Sequence, residues 1–379
     1  MIMTNKKIVR SVTVSRSSGF YTPIVKDLQS KGFEVISLSS PGPELDELRD
    51  MGVKIITVAM ERHISLSRDI KALFQIIKVL RREKPYLVHS MTPKAGMLCM
   101  VAAWICRVPR RVHTFTGLIW PTATGITRII LMTTDWLTCA CATHIIPEGK
   151  GIMNDLQNHI TKKPMKVLGY GNIKGVDMER FSKRPDIVEA SKSIRKDGVF
   201  TFFFVGRIVG DKGINEMVEA FLRLVKEMSN VRLLLVGQFE EKLDPVKDIT
   251  RERINTIPEI QYAGPQFGDD LLAYYAASDC FVFPSYREGF PNTVLEAGAM
   301  GLPSIVTDIN GSREIVENGK NGIIIPPKDV DALYEAMKYV IENKDAFNRM
   351  TEVSRPMIES RFEQSYVRKC LLDFYDEIM

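Results

Sequence analysis

Short apolar runs alternate along the chain with longer stretches in which apolar residues recur every three or four positions. The first pattern suits a buried strand and the second an amphipathic helix, and their alternation predicts parallel sheets with crossover helices. Strands are expected in the first half at residues 8–14, 34–39, 53–58, 86–89, 111–114, 143–146 and 165–168. The clearest helix there is 67–83, with Ile70, Leu73, Phe74, Ile77 and Leu80 on one face. In the second half strands are expected at 199–205, 231–236, 260–262, 280–283, 303–306 and 322–325, with helices at 212–228, 269–277, 291–300 and 330–342. Pro291 falls just inside the start of its helix and Gly301 just beyond its end, in line with the preferences of helix ends. A last helix, 364–378, follows the final strand and has no strand to feed.

With 379 residues the chain is long enough for two domains, each with its own core. The boundary falls at 175–181, where the glycine-rich GYGNIKGVD gives way to a polar stretch. The expected organisation is a first α/β domain over 1–176, a second over 177–362, and a C-terminal helix, 363–379, packing back on the first. Two Rossmann-like, doubly wound parallel sheets in sequence would face each other across a cleft, with ligands outside the carboxyl ends of the strands. Such a fold does not name a chemistry.

The net charge of +5 conceals an asymmetry. Residues 1–176 hold 25 Lys and Arg against 12 Asp and Glu, a balance of +13, whereas the remainder holds 26 against 34, a balance of −8. A basic first half points to an anionic partner: phospholipid heads or a lipid diphosphate. Nucleic acid is disfavoured, because no helix-turn-helix, zinc-finger or aromatic single-strand signature accompanies the charge. The opening MIMTNKKIVRSVTVS has no apolar core of signal-peptide length, and the apolar stretches 97–106 and 129–146 fall short of the roughly 20 residues of a spanning helix. Six cysteines, mostly in apolar runs, read as reduced thiols in the cytoplasm, and no metal-ligand pattern surrounds them.

Two segments carry candidate chemistry. In SYREGFPNTVLEAGAMGLP, residues 285–303, Glu288 lies in the loop after a strand and Glu296 eight positions later inside a helix. Backbone N–H groups at the loop and helix start suit a phosphate, and a carboxylate beside them suits sugar hydroxyls. In FFFVGRIVGDKGINEMVEAF, residues 202–221, Arg207 and Lys212 follow a strand that ends at Val205. Two cations there can clamp a diphosphate and stabilise charge on a leaving nucleotide.

The combination of V-G-R-x-x-x-x-K-G with E-G-F-P-N-T-V-L-E resembles the family-four (group 1) glycosyltransferases of the GT-B fold, through the whole second half and more loosely the first. The resemblance implies that Arg207 and Lys212 hold the donor diphosphate, Glu288 contacts the transferred sugar and Glu296 binds the ribose hydroxyls. It also implies that the amides around Gly289, Phe290 and Pro291 help hold sugar and phosphate. Ser18 and Gly19 look like the family's donor and acceptor loop, with serine in place of one glycine. His113 in RVHTFTG stands where members often carry a histidine near the active site. The run from Ser90 to Leu118 is most similar to members that extend polysaccharide or lipid-linked oligosaccharide precursors in bacteria.

The resemblance implies a retaining transfer that needs no metal or other cofactor. Its donor would be a uridine diphosphate sugar or another nucleotide sugar, and its acceptor a glycan or polyprenyl-diphosphate-linked sugar. Peripheral association with the inner face of the cytoplasmic membrane follows from the basic half. Arg81, Arg82, Lys84, Arg107, Arg110, Arg111, Lys162 and Lys163, with Trp104, Trp120 and Trp136, are the candidate lipid contacts. A nicotinamide-dependent dehydrogenase is the rival for a Rossmann pattern, but Gly169-x-Gly171-x-x-x-Gly175 opens onto a linker rather than a helix. A non-catalytic sugar-nucleotide-binding subunit is the other alternative, against which the full set Arg207, Lys212, Glu288 and Glu296 argues.

Overall fold

A computed structural model of the chain describes residues 6–61, 65–241 and 244–379. The chain divides into one unit of Met1–Gly175 with Ser365–Met379 and a second of Val176–Gln364. The first unit is built on β1 (Lys7–Ser11), β2 (Glu34–Ser39), β3 (Lys54–Thr57), β4 (Leu87–Met91), β5 (Arg110–Phe115) and β6 (His144–Pro147). These form one parallel sheet in the order β3-β2-β1-β4-β5-β6. Its helices are α1 (Val25–Ser30), α2 (Asp46–Asp50), α3 (Leu66–Glu83), α4 (Pro93–Ile105), α5 (Gly125–Cys141) and α6 (Lys150–His159).

The second unit repeats the plan with β7 (Phe200–Val205), β8 (Val231–Val236), β9 (Ile260–Tyr262), β10 (Cys280–Phe283), β11 (Ser304–Thr307) and β12 (Gly322–Ile325). Their order is β12-β11-β10-β7-β8-β9, again parallel. Around them stand α7 (Pro185–Ser191), α8 (Ile214–Glu227), α9 (Asp248–Thr256), α10 (Gly268–Ala276), α11 (Asn292–Ala299), α12 (Ser312–Ile315), α13 (Val330–Glu342) and α14 (Lys344–Phe362). Strands such as FTFFFV and VRLLLV read as nearly continuous apolar runs, interrupted only by the buried Thr201 and Arg232, because helices cover both faces of the sheet. A final helix, α15 (Gln364–Ile378), belongs to the first unit from Ser365 onward.

Three expectations need correction. Residues 165–168 are not a strand: a single bridge joins Met165 to Ile145, since Pro164 offers no N–H and Gly169 and Gly171 take left-handed φ of 55° and 96°. Pro291 is the residue before α11 rather than its first turn. On α3 the core face runs through Ala72, Ile76, Ile77, Val79 and Leu80 with Leu73 packed against it, while Ile70 and Phe74 of the expected face are exposed. The helix carries two apolar stripes, and the sheet covers one of them.

The sheet of the first unit has a different core on each face. Residues of α3, α4 and α5, among them Ile76, Leu98 and Cys139, pack together with Val9 and Val88. On the other core α1 and α2 are joined by Leu371, Phe374, Tyr375 and Ile378 of α15. Tyr375 also reaches a buried polar chain. Arg10 on β1 donates to its hydroxyl at 2.5 Å, which lies 2.6 Å from His89 Nδ1, and His89 Nε2 lies 2.7 Å from Thr114 Oγ1. The Arg10 guanidinium faces the rings of Tyr21 and Tyr375 at 5.2 and 6.0 Å, so aromatic faces accompany the buried cation.

Asp135 on α5 is buried, and burial pushes its carboxyl up to about 7. Its folded pKa exceeds the roughly 3.9 of an unfolded aspartate. The native state therefore holds the extra proton between those values, and its contribution to stability is lost as pH rises through 7. Asp135→Asn should match wild type near pH 4 and exceed it by about 4 kcal/mol at pH 8. Urea unfolding at the two pH values checks this, and a pH-independent difference would reject it.

Candidate active site

The order in which strands are added to the second sheet reverses between β7 and β10, and at such a reversal a crevice forms outside the carboxyl ends of the strands. The candidate groups of this unit follow those two strands. Past Val205 the chain turns at Gly206 and reaches Arg207, then the single 3-10 turn Gly210–Lys212. Past Phe283 it runs through Pro284 and Ser285 to Glu288 and enters α11. Lys212 and Glu288, 76 residues apart in sequence, meet as an ion pair with side chains 15% and 17% exposed.

Backbone shape makes this meeting possible. Gly213 has φ of 71°, and a Cβ there would overlap the carbonyl oxygen of Pro284. Only glycine lets the end of the 3-10 turn lie directly on the end of β10. The two loops are then stitched together. The Asp211 carbonyl accepts the Tyr286 N–H at 2.8 Å, and its carboxylate accepts from Arg287 at 3.0 Å. The Ser285 hydroxyl donates to Glu288 Oε1 at 2.8 Å, so that carboxylate is held from two sides. Lys212 Nζ also stands 5.2 Å from the centre of the Phe283 ring.

The other candidates are spread more widely. Arg207 is half-exposed and pairs with Glu240 at 2.5 Å. Gly289, Phe290 and Pro291 are buried, Phe290 against Phe362 at 5.4 Å between ring centres, and the Gly311 backbone lies directly on the Gly289 carbonyl. Glu296 on α11 accepts a hydrogen bond from Tyr275 at 3.2 Å. Burial, with the Glu296 charge beside it, holds the Tyr275 phenol well above its ordinary range, so it remains a donor. Gly19 lies in the first unit, exposed in the 3-10 segment Ser15–Phe20 that follows β1, with open space where a side chain would stand.

His113 is not at a strand end. It lies inside β5, 1% exposed, its Nδ1 2.8 Å from Ser90 Oγ and its ring edge-on to Phe115 at 4.5 Å. A side chain at Gly96 of α4 would overlap the ring. Burial lowers its pKa to about 3, so the ring is held in its uncharged form between sheet and helix.

Sequence reasoning missed Ser285, Asp211 and Arg287. Asp211 stands directly before Lys212, and Ser285 and Arg287 flank the approach to Glu288, but only the adjacency of β7 and β10 shows that they hold the pair. Among the described residues no group of three or more His, Cys, Asp or Glu could hold a metal ion.

A doubly wound unit with a cation–carboxylate pair at its reversal, following a first unit of the same plan, is the architecture of GT-B glycosyltransferases. Anabaena HepE, solved in complex with UDP, superposes with a TM-score of 0.80 at 17% identity, over 98% of this chain and 100% of that one. Residues 186–357 match the glycosyl transferases group 1 family, and residues 11–132 match the glycosyl transferase 4-like family. The chain is 30% identical to the capsular polysaccharide biosynthesis glycosyltransferase CapM of Staphylococcus aureus, over all of its own length and 98% of that protein. It is 29% identical to the UDP-Gal:alpha-D-GlcNAc-diphosphoundecaprenol alpha-1,3-galactosyltransferase of Escherichia coli, over 85% of this chain and 83% of that one. The chain belongs to the group 1 glycosyltransferases.

Proposed function

We propose that the chain is a retaining glycosyltransferase of bacterial surface-polysaccharide synthesis. It would move a hexose or N-acetylhexosamine from a nucleotide diphosphate sugar, with uridine diphosphate favoured, to a polyprenyl-diphosphate-linked sugar at the inner face of the cytoplasmic membrane. The observation that carries this reading is the Lys212–Glu288 pair, fixed by Ser285 at the reversal of the second sheet. The acceptor class is supported by the Escherichia coli relative, whose name specifies a diphosphoundecaprenol-linked sugar.

In this mechanism Lys212 and Arg207 meet the negative charge that grows on the leaving diphosphate. They act in place of a metal ion. Glu288 orients the sugar through its hydroxyls and Glu296 holds the ribose. The bond from the anomeric carbon to the diphosphate oxygen breaks while a bond to the acceptor oxygen forms on the same face. The acceptor proton passes to the departing phosphate oxygen. Positioning supplies the remaining acceleration.

The test is transfer from a panel of sugar nucleotides to a lipid-diphosphate sugar, with the product's anomeric configuration read by NMR. Retained configuration is expected. Glu288→Ala should lose turnover while its affinity for the bare nucleotide diphosphate, measured by calorimetry, stays within a few-fold. Glu296→Ala should weaken that affinity, since ribose is common to donor and product. An inverted product defeats the mechanism, and nucleotide binding with no transfer from any donor favours the non-catalytic subunit.

A further inference from the structure

The helices α3, α4 and α5 form one layer on the sheet of the first unit, and their inner sides share one core. A helix packed this way ordinarily turns a polar face to solvent. Here the outer surface carries Leu66 and Phe74 on α3, Trp104 on α4, and Ile126, Ile129 and Trp136 on α5, each 54–76% exposed. Apolar surface of this extent on three neighbouring helices marks a contact face.

The exposed charges carried by these three helices have one sign. Lys71 and Lys78 are exposed on α3 and Arg128 on α5. All three carboxylates of these helices are engaged or buried. Asp69 is held by Lys94 at 2.7 Å, Glu83 is buried and bound by Lys54 at 2.7 Å, and Asp135 is buried. A second copy docked on the same face would set cation against cation. A surface of negative headgroups over an apolar interior matches both features, and exposed indoles suit the depth between them.

We propose that the outer surface of α3, α4 and α5 is the face by which this protein lies on an anionic phospholipid bilayer. The inference rests on the lipid-linked acceptor reading and adds an orientation to it. The chain enters α3 from β3 and α5 from β5, so Leu66 and Ile126 stand toward the carboxyl edge of the first sheet. The Ser15–Phe20 segment with Gly19 leaves β1 at the same edge.

This face differs from the one the sequence suggested. Trp120 is buried, and several basic groups serve the fold instead. Lys163 caps the carbonyls of Cys139, Ala140 and Ala142, Arg111 those of Cys141 and Val108, and Arg110 donates to the Ile378 carbonyl.

Flotation with vesicles of phosphatidylglycerol and phosphatidylcholine, against pure phosphatidylcholine, tests the proposal. Two variants are compared with wild type: Leu66→Ser, Phe74→Ser, Ile126→Ser and Ile129→Ser combined, and Lys71→Glu, Lys78→Glu and Arg128→Glu combined. All seven side chains are exposed, so melting temperatures should hold. Wild type should bind the anionic vesicles and release as salt rises, and each variant should lose on the order of tenfold in partitioning. Transfer to a long-chain polyprenyl acceptor in vesicles should fall with binding, while transfer to a short-chain soluble diphosphate acceptor should not change. Variants that bind as wild type does overturn the assignment of the face. Wild type that binds no vesicles yet transfers to the soluble acceptor overturns membrane contact and leaves the activity standing. Failure with both acceptors strikes the activity itself. A dimer in sedimentation that the variants abolish makes the face a self-contact instead.

Discussion

Lys212→Ala is expected to lower the rate of sugar transfer by on the order of a hundredfold or more. The ammonium sits on a turn pressed against the end of β10, in contact with Glu288 and above the Phe283 ring. It is mostly shielded from water, so a charge developing beside it is stabilised more strongly than it would be in bulk solvent. Removing it also leaves Glu288 with Ser285 but without its counter-charge, so the carboxylate proposed to orient the sugar is loosened as well. Lys212→Arg should recover only part of the rate, because a planar fork does not reproduce a compact point charge. The fold should persist, since the removed side chain is no part of the apolar core. Single-turnover rates at saturating donor, alongside melting curves, make the check. Near-normal turnover in the alanine variant would remove Lys212 from the chemistry.

Gly213→Val should lower the melting temperature by roughly 10 °C, the equivalent of about 3–5 kcal/mol in a domain of this size. Two costs combine. A β-branched residue is strained at φ of 71°, and the new Cβ would overlap the Pro284 carbonyl oxygen, which is backbone and cannot rotate away. Relief of the clash separates the 3-10 turn from the end of β10 and pulls Lys212 off Glu288, so activity should fall with stability. Calorimetric melting of the two variants separates the effects: Lys212→Ala loses rate with its melt intact, whereas Gly213→Val loses both. An unchanged melt for Gly213→Val would show that the close approach is not required.

The second sheet was readable from sequence because strands covered on both faces become nearly continuous apolar runs, as in β7, β8 and β10. Arg207, Lys212, Glu288 and Glu296 were readable as a motif. The residues that hold them were not. Ser285 earns its role only through the adjacency of β7 and β10 in the sheet, and residue type alone does not reveal a hydroxyl aimed at a carboxylate. His113 shows the opposite limit. Its position in RVHTFTG suggested a site, but depth within β5 and the gap left by Gly96 are properties of the packed sheet. On α3 periodicity found an apolar helix without showing which stripe faces the sheet, and the stripe left outside became the most informative surface of the first unit.

The position of Tyr375 constrains the order of events during synthesis. The first unit takes its last segment, Ser365–Met379, from the stretch of chain that follows the second. Until that segment leaves the ribosome, Arg10 and His89 lack the hydroxyl that joins them, and the core shared by α1 and α2 lacks Leu371 and Phe374. The nascent first unit must therefore wait through the making of Val176–Gln364, roughly ten to forty seconds at ordinary elongation rates. The second unit is continuous in sequence and can fold while it is being made. The half of the protein made first is the last to close, and its half-built apolar surface is what chaperones would meet in the interval.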